Sequence, residues 1–377
     1  MKAIINGKII LQDGIVEHKT LLFDKKIVAL ADDAAGADEI IDAQGLYVSP
    51  GFVDVHIHGY LGEDASDGTM EGLQKMAEGV LQNGVTSFLP TTMTVKWEEL
   101  EKAFAVIRAL MPKSAAADWQ GAQILGCHAE GPFINPAKKG AQAAEAILPP
   151  DADKILKHRD VIRVVTMAPE MPGGLACVEK IRQNSDIAVS VGHTNATYEE
   201  TMAAIEAGAD HVTHTFNAMS ALSHRAPGTV GAALCSDAYC ELIADTFHIH
   251  PGLFTLFAKA KGDKLVLITD CTRAGGLEDG EYTLGGQPIY VKGIECRLAD
   301  GTIAGSVLKM NDAVRNYRDH AGVPFHEAVN CASLYAARSI GADHCKGSLE
   351  AGKDADIVLL DEACRVHGVF VGGVRKA

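Results

Sequence analysis

Eight short, almost wholly apolar segments alternate with helical patterns through the middle of this 377-residue chain. A parallel strand that is covered on both faces has this near-continuous apolar character. Most of the intervening stretches carry apolar residues at three- and four-residue spacing, which is typical of amphipathic helices, as in residues 69–83, 97–111, 197–207 and 251–261. The alternation predicts an α/β protein built on a TIM-like (β/α)8 barrel. The strand segments are FVDVHIHG, VTSFLPTTM, ILGCHAEGP, IRVVTMAPE, AVSVGHTNA, HVTHTFNAM, CELIADTFHIH and KLVLITDCT.

The two ends of the chain differ in character from the middle. Residues 1–50 and the last thirty residues read as short strands, in which apolar and polar positions alternate between glycines. We therefore expect a small β-sandwich domain from residues 1–50 and 347–377, with a barrel domain of residues 51–346 inserted between its halves. After the eighth strand, EYTLGGQPIYVKGIECRLADGTIAGS predicts an extra β excursion, followed by helices over 309–321 and 325–339.

Net charge, apolar run length and cysteine content indicate which classes of partner and which cellular compartment to expect. The chain carries 34 Lys plus Arg against 49 Asp plus Glu, and this net charge of −15 disfavours nucleic acid as a partner. No stretch approaches the roughly 20 apolar residues that a membrane helix needs, so we expect no membrane partner. The nine cysteines are odd in number and lack any CxxC spacing, which favours a reducing, cytoplasmic setting over a disulfide framework.

Imidazoles and carboxylates stand at or near the C-terminal ends of six of the eight predicted strands. In a (β/α)8 barrel those ends converge on one face, where the active sites of this fold are found. We therefore expect a polar site at that face. The residues concerned are His56 and His58, Glu130, His193, His214, His248 and Asp270.

The pair His56 and His58 is a candidate metal-binding motif. Side chains alternate along a strand with period two, so both rings point the same way and can reach one ion. The alternative is that backbone carbonyls satisfy both rings. Together with Glu130, His193 and His214, the donors exceed what one ion needs and are compatible with two ions bridged by Glu130. For Glu130 the alternative is a buried acid that a neighbour neutralises.

Asp270 follows the apolar segment LVLIT and has two interpretations. Its carboxylate could cap a following helix, or it could act as a general base beside a metal. The other polar residues at the same face favour the general base. His128, His211 and His250 lie beside the motif residues, and we expect strand alternation to turn them away from the centre, which leaves them structural roles.

Six motifs together resemble a known family: GFVDVHIHG, GCHAEGPF, VGHTNA, HTFNAM, ADTFHIH and ITDCTRAGG. The chain is similar over nearly its whole length to the amidohydrolase superfamily, and within it to the N-acetylglucosamine-6-phosphate deacetylases. The HxH motif alone is shared with ureases, deaminases and dihydroorotases. The more specific mark is Glu130 in EGPFINPAKKGA, where several relatives carry a carbamylated lysine, combined with HTFNAM and HRAPG.

The resemblance implies a metal-ligand set. It assigns one ion to Glu130, His193 and His214, and it makes His56 and His58 a second metal position that some members of the family lack. Mixed nitrogen and oxygen ligands suit zinc, iron, manganese or cobalt, so we expect one or two divalent ions of this kind in each subunit.

The resemblance also implies substrate contacts. It assigns the catalytic role to Asp270, a sugar contact to His248, and the phosphate site to the backbone of Asn217 and Ala218 with Arg225. The alternative for Arg225 is a solvated surface residue, because SALSHRAPG reads as an exposed loop. Gln142 stands where some members have a histidine that helps to polarise the substrate carbonyl, and its neutral amide can donate a hydrogen bond but carries no charge.

These implications converge on an enzyme. We expect a cytoplasmic, homodimeric, metal-dependent hydrolase that converts N-acetylglucosamine 6-phosphate to glucosamine 6-phosphate and acetate, in amino-sugar catabolism or cell-wall recycling. One alternative is another amidohydrolase that acts on a different acetamido sugar phosphate or N-acyl compound. The other is a non-catalytic barrel that binds a sugar phosphate.

Overall fold

The computed structural model describes residues 1–377, and its first fifty residues form seven short strands. They are β1 (Lys2–Ile5), β2 (Lys8–Leu11), β3 (Gly14–Val16), β4 (Thr20–Phe23), β5 (Ile27–Ala31), β6 (Glu39–Asp42) and β7 (Tyr47–Pro50). Four of them form one sheet in the order β5-β4-β1-β6, while β2, β3 and β7 belong to a second sheet. The predicted succession of short N-terminal strands is confirmed.

A barrel of eight parallel strand positions follows, and each position coincides with one of the eight predicted segments. Its third position is split, because the chain leaves the strand at Leu125 and Gly126 before pairing resumes. A small ribbon, β9 with β10, follows the first position. The strands are β8 (Phe52–Ile57), β9 (Gly59–Tyr60), β10 (Glu63–Asp64), β11 (Val85–Thr92), β12 (Gln123–Ile124), β13 (Cys127–Glu130), β14 (Ile162–Met167), β15 (Ala188–Val191), β16 (His211–Val212), β17 (Tyr239–Ile243) and β18 (Leu265–Ile268).

The barrel closes between its last and first strands just beyond β18. The backbone N–H of Asp270 donates to the carbonyl of His56 over 2.8 Å, and that of His58 donates to the carbonyl of Cys271 over 2.9 Å. Three residues predicted to be functional, His56, His58 and Asp270, therefore take part in the closure itself. The predicted (β/α)8 barrel is confirmed.

Ten α-helices cover the barrel, and several begin where the sequence supplies a cap. Thr197 and Glu200 form a capping box at the start of one helix, and Thr69 caps another. The predicted helix over 325–339 is two helices, because Ser333 adopts a non-helical conformation between them. The helices are α1 (Met70–Val80), α2 (Trp97–Ser114), α3 (Ala152–Leu156), α4 (Gly174–Asn184), α5 (Tyr198–Glu206), α6 (Gly228–Cys235), α7 (Phe254–Lys261), α8 (Met310–Ala321), α9 (Phe325–Ala332) and α10 (Leu334–Ser339).

The predicted β excursion is a three-stranded antiparallel sheet beside the C-terminal face of the barrel. It consists of β19 (Gly280–Leu284), β20 (Gln287–Lys292) and β21 (Glu295–Leu298). Its apolar side packs with Met93 and Ala141 from barrel loops. At the hairpin tip, the side-chain amide of Gln287 donates to the carbonyl of Ala141 over 2.7 Å, so the excursion is attached to a loop of the site described below.

The C-terminus completes the β-sandwich that the N-terminus begins. Strands β22 (Ile357–Leu360), β23 (Val366–Val371) and β24 (Val374–Arg375) join the second sheet, whose order is β24-β23-β22-β7-β2-β3. A hydrophobic core separate from that of the barrel lies between the two sheets, with Phe23 and Phe370 in edge-to-face contact. Both chain ends therefore build one unit, while the boundaries 1–50, 51–346 and 347–377 stay a prediction. None of the helices has both the length and the apolarity needed to span a bilayer.

A buried ion cluster links the barrel to the sandwich. The ammonium group of Lys346, only 2% exposed, lies 2.9 Å from Asp354 and 2.8 Å from Asp356. Burial lowers the pKa of Lys346, but the two carboxylates outweigh that effect and raise it. The backbone carbonyl of Asp356 accepts the N–H of Gly51, at the entry to the barrel, and its carboxylate accepts the N–H of Gly372, directly after β23. The charge of Lys346 thus balances carboxylates at the junction where the chain passes between the sandwich and the barrel.

We expect Lys346→Met to lower the free energy of unfolding by about 3 kcal/mol, because it leaves the buried carboxylate of Asp356 without a countercharge, while Asp354 keeps its ion pair with Lys26. Urea denaturation measures the change. The control is Lys180→Met, which breaks an ion pair with Asp153 whose two side chains are largely exposed, and which should leave the free energy of unfolding near its original value. Equal effects of the two substitutions would show that the Lys346 cluster is not a structural link.

Candidate active site

The barrel brings six of the predicted residues to one point at its C-terminal face. His56 lies within β8 and His58 directly after it, and Glu130 is the last residue of β13. The other three follow their strands by two residues, and all six are at least nine-tenths buried: His56, His58, Glu130, His193, His214 and Asp270. These residues are distant in sequence, so only the closed barrel can assemble them.

Glu130 stands at the centre of this group. Its Oε1 lies 3.0 Å from His214 Nε2 and 3.2 Å from His193 Nε2, and its Oε2 lies 3.4 Å from His58 Nε2. His56 Nε2 is 3.5 Å from Oε1. One carboxylate therefore faces both histidine pairs, which is the arrangement expected of a bridging group.

Asp270 faces the same group from the other side. Its Oδ1 lies 3.2 Å from His58 Nε2 and 3.5 Å from His56 Nε2. No helix begins at Asp270, so the structure gives no support to the helix-cap interpretation. Burial raises the pKa of Asp270, but without a metal the protonated imidazoles of His56 and His58 outweigh this and lower it to about 2. A carboxylate at this position is an acceptor for protons on the cavity side.

The outer nitrogens of three rings have acceptors that fix their tautomers. His193 Nδ1 donates to the carbonyl of Lys138 over 2.8 Å, and His58 Nδ1 donates to the carbonyl of Thr91 over 3.1 Å. A neutral ring that donates through Nδ1 carries its lone pair on Nε2. His56 Nδ1 likewise faces a carboxylate, that of Glu241, over 2.9 Å.

The donor set fits a divalent cation. Lone pairs on three Nε2 atoms converge with the oxygens of Glu130 and Asp270 at distances of 3.2 to 3.5 Å, so each of these contacts joins two acceptors. Acceptors that face one another in a buried site need a shared cation or shared protons. The structure forms two such ligand groups, each including Glu130: one with His56 and His58, the other with His193 and His214.

The backbone at the site is strained at the residues that carry the chemistry. His193, His214 and Asp270 have φ angles of 47°, 28° and 49°, in the left-handed region that residues other than glycine rarely adopt. Each follows a barrel strand, so the chain turns sharply as it leaves the sheet. Such strain at several residues of one site is typical of functional positions held by surrounding structure.

A cavity of about 380 Å³ opens above the ligand groups. Gln142 lies in its wall, where its amide nitrogen donates to Glu130 Oε2 and its amide oxygen accepts the backbone N–H of Thr94 over 2.6 Å. Asn217, Ala218 and His248 also line the cavity, as does Leu284 from the β excursion. The space suits a ligand of about the size of a monosaccharide phosphate.

His248 is oriented by a residue that the sequence reasoning missed. Asp245 Oδ2 lies 2.6 Å from His248 Nδ1, and Oδ1 accepts the backbone N–H groups of Phe247 and His248. The ring therefore has its other nitrogen free for the cavity. The sequence pattern Asp-x-x-His could have indicated this contact between the carboxylate and the ring.

Arg225 is the one predicted site residue that lies neither in a ligand group nor in the cavity wall. It lies in an exposed loop and makes no hydrogen bond or ion pair within the chain. Among the lysines and arginines, Lys138 alone lines the cavity. Its ammonium group donates to the carbonyl of Met219 over 3.1 Å. Phosphate recognition by Arg225 stays a prediction.

The expectation that His128 turns away from the barrel centre is wrong. His128 and Glu130 are two residues apart on β13, so alternation places them on the same side. The ring of His128 lies 4.5 Å from that of His56 and bonds to Val55 and Thr166 inside the barrel. Two of the three neighbouring histidines do stay outside the site: His211 pairs with Asp210, and His250 caps a short helix.

Glu241 is a second missed residue. It lies in β17, is fully buried, and holds His56 Nδ1 at 2.9 Å and the backbone N–H of His214 at 3.0 Å. A single acid inside the apolar run YCELIA was the available signal, because a charge in a doubly covered strand needs a partner.

Comparisons with known proteins agree with this geometry. The Amidohydrolase family matches residues 47–376. A Bacillus subtilis (strain 168) protein named N-acetylglucosamine-6-phosphate deacetylase is 38% identical over 97% of this chain and 91% of its own length. An Escherichia coli O157:H7 protein named N-acetylgalactosamine-6-phosphate deacetylase is 37% identical over 95% and 94%.

A solved structure extends the likeness to the whole fold. It is a mutant N-acetyl-D-glucosamine-6-phosphate deacetylase from Mycobacterium smegmatis in complex with N-acetyl-D-glucosamine-6-phosphate. It has a TM-score of 0.91 and 30% identity to this chain, and the match covers 100% of this chain and 99% of that one. With the family match spanning the barrel and its ligand groups, this chain belongs to the amidohydrolase family.

Proposed function

We propose that this chain is a metal-dependent hydrolase that removes the acetyl group of N-acetylglucosamine 6-phosphate, giving glucosamine 6-phosphate and acetate. The observation that carries the proposal is the bridging position of Glu130 between two histidine pairs, with Asp270 on the open side of the same group. The choice of substrate follows the names of the Bacillus subtilis relative and of the Mycobacterium smegmatis complex described above.

The chain offers two positions for metal. Glu130, His193 and His214 would hold one divalent ion, and His56 and His58 would hold a second that shares Glu130. Zinc, iron, manganese and cobalt all suit such a mixed set of nitrogen and oxygen ligands. A bound ion supplies Lewis acidity towards the acetamide carbonyl and makes water easier to deprotonate.

Asp270 carries the proton in this reaction. Its carboxylate accepts one proton from the attacking water while the water oxygen bonds to the acetyl carbon. As the carbon–nitrogen bond breaks, Asp270 gives that proton to the amine nitrogen, and the second proton of the water leaves on the product carboxyl group, which ionises to acetate. Its left-handed backbone and its place at the barrel closure hold the carboxylate in the cavity.

The cavity wall would orient the sugar. His248 presents its free ring nitrogen to a sugar hydroxyl, because Asp245 occupies the other. Gln142 is fixed by Thr94 and Glu130 beside the carbonyl position. The backbone of Asn217 and Ala218 lines the region that we assign to the phosphate.

Arg225 enters the proposal through a second subunit. Because Arg225 is exposed and outside the cavity of its own chain, we propose a homodimer in which the arginine of one chain meets the phosphate held by the other. A guanidinium matches a phosphate in geometry, and a chain of net charge −15 needs a dedicated cation for an anionic substrate. Nine unpaired cysteines fit the proposed cytoplasmic setting in amino-sugar catabolism or cell-wall recycling.

A second substrate has an observation in its favour. The Escherichia coli relative at 37% identity is named for N-acetylgalactosamine 6-phosphate, which differs from the glucosamine sugar at one hydroxyl. Rates on both acetamido sugar phosphates, and on both sugars without phosphate, decide between them. Fully metallated protein that turned over none of these substrates would favour the non-catalytic barrel.

We expect exhaustive chelation to abolish deacetylation, and a divalent salt to restore it. His214→Ala should lose both bound metal and activity, because His214 contacts Glu130 directly. His56→Ala should lose at most the second ion and keep partial turnover. Elemental analysis and acetate release measure these outcomes, and full activity in verified metal-free protein would refute the mechanism.

We expect Asp270→Asn to lower kcat by about 10⁴-fold while metal content and KM change little. Asparagine keeps the size of the side chain and removes the proton acceptor, and one residue here serves two proton transfers. Steady-state kinetics and metal analysis of the same preparation provide the test. A kcat within about tenfold of the original, with unchanged metal, would move the acid–base role to another group.

We expect Arg225→Ala to raise KM for the phosphorylated sugar much more than for the same sugar without phosphate, because only the former loses a charge partner. Arg159→Ala, in which an exposed arginine distant from the cavity is removed, provides the control. Mixing Arg225→Ala with an Asp270→Asn chain tests the exchange between subunits. Equal effects on both substrates would make Arg225 structural.

A further inference from the structure

Glu241 lies beneath the ligand groups without lining the cavity. Its Oε2 accepts two hydrogen bonds, from His56 Nδ1 over 2.9 Å and from the backbone N–H of His214 over 3.0 Å. Its Oε1 is buried and has no partner. One oxygen atom thus contacts one member of each histidine pair.

The bond to His56 decides which nitrogen of that ring is available. Because the carboxylate accepts from Nδ1, the lone pair of the neutral ring lies on Nε2, which faces Glu130 and Asp270 at 3.5 Å each. With the other tautomer, an N–H group would occupy the direction of the ligand. The ring can therefore serve as a ligand only while Nδ1 has an acceptor.

The hydrogen bond from the backbone N–H of His214 to Glu241 holds the main chain of His214 rather than its ring. His214 Nδ1 is buried and has no partner, whereas His193 Nδ1 and His58 Nδ1 are held by carbonyls. The φ angle of His214 is 28°, which is strained for a residue with a side chain. Its backbone N–H bond to Glu241 takes the place of the ring contact that its neighbours have.

Glu241 also has no lysine or arginine to compensate its charge. The polar groups that contact its carboxylate are His56 Nδ1 and the His214 N–H, and the ring of His128 lies nearby in the same layer. A buried carboxylate without a countercharge is costly. A cation bound to His56 Nε2 would supply a countercharge to Glu241 from the opposite side of the imidazole ring.

From these contacts, we propose that Glu241 is a positioning residue shared by both metal positions, acting on one through the tautomer of His56 and on the other through the backbone of His214. The inference rests on the proposed metal-dependent function. Its readout is metal affinity, so failure of the chain to deacetylate a sugar phosphate would refute the proposed function and leave this result intact.

The experiment compares Glu241→Gln with Glu241→Ala. A glutamine oxygen can accept both hydrogen bonds while its NH₂ replaces the unpartnered Oε1, so this variant removes charge and keeps geometry. We expect about 10–100-fold weaker binding of Co²⁺ at both positions in Glu241→Ala, whereas Glu241→Gln, which keeps both hydrogen bonds, should bind Co²⁺ nearly as the original chain does. Equilibrium dialysis of metal-free protein, with elemental analysis, measures the stoichiometry and the affinities.

The matched control is Thr166→Val, which removes hydrogen bonds to His128 and Thr213 in the same interior layer without touching His56. It should bind Co²⁺ like the original chain. Unchanged Co²⁺ affinity in both Glu241 variants would overturn the proposal, as would an equal loss in Thr166→Val.

A second measurement avoids variants of Glu241 that fail to fold. In ¹⁵N-histidine spectra of the original chain loaded with Zn²⁺, in which the His56 signal is identified by comparison with His56→Asn, His56 should carry its proton on Nδ1, the nitrogen that faces Glu241. A proton on Nε2 would contradict the proposal.

Discussion

The convergence of acceptor atoms on Glu130 is the constraint around which the rest of the molecule is arranged. Three imidazole lone pairs and two carboxylates meet within 3.2 to 3.5 Å, in a site that is almost closed to solvent. Such a group is unfavourable without a cation, so folding alone does not explain it. It persists because the barrel closes around it and because backbone carbonyls and Glu241 hold the outer ring nitrogens.

The scaffold supports that group in two ways. The strands place the ligands at their C-terminal ends, and the barrel closure passes through the backbone of His56 and Asp270, so the geometry of the site and the integrity of the sheet depend on the same hydrogen bonds. The β excursion also shapes the cavity. Leu284 lies in the cavity wall, and Gln287 donates a hydrogen bond to Ala141, in the loop that carries Gln142. The β-sandwich has a core of its own, and it is joined to the barrel through the Lys346 cluster and through Ile10, Val358, Leu360 and Val369, which pack in the barrel core.

The sequence predicted the fold and most of the ligand group because both follow from local patterns. Apolar strands, helical spacing and polar residues at strand ends are visible along the chain, and the barrel assembles them by topology alone. What the pattern missed depends on contacts between strands. His128 was misplaced although the period-two argument used for His56 and His58 applied to it, and Glu241 looked like one acid in an apolar run. The proposed role of Arg225 depends on a proposed partner chain, which no single-chain pattern contains.

Anomalous diffraction at the absorption edges of zinc, iron, manganese and cobalt, from crystals of protein purified without added metal, tests the central claim most directly. A peak should lie between Glu130, His193 and His214, at about 2.0–2.2 Å from their ligand atoms. A second peak beside His56 and His58 would identify the second ion, with Glu130 shared. Ordered side chains that surround a position with no anomalous signal, and that are linked instead by water, would contradict the claim that this group is built to hold metal.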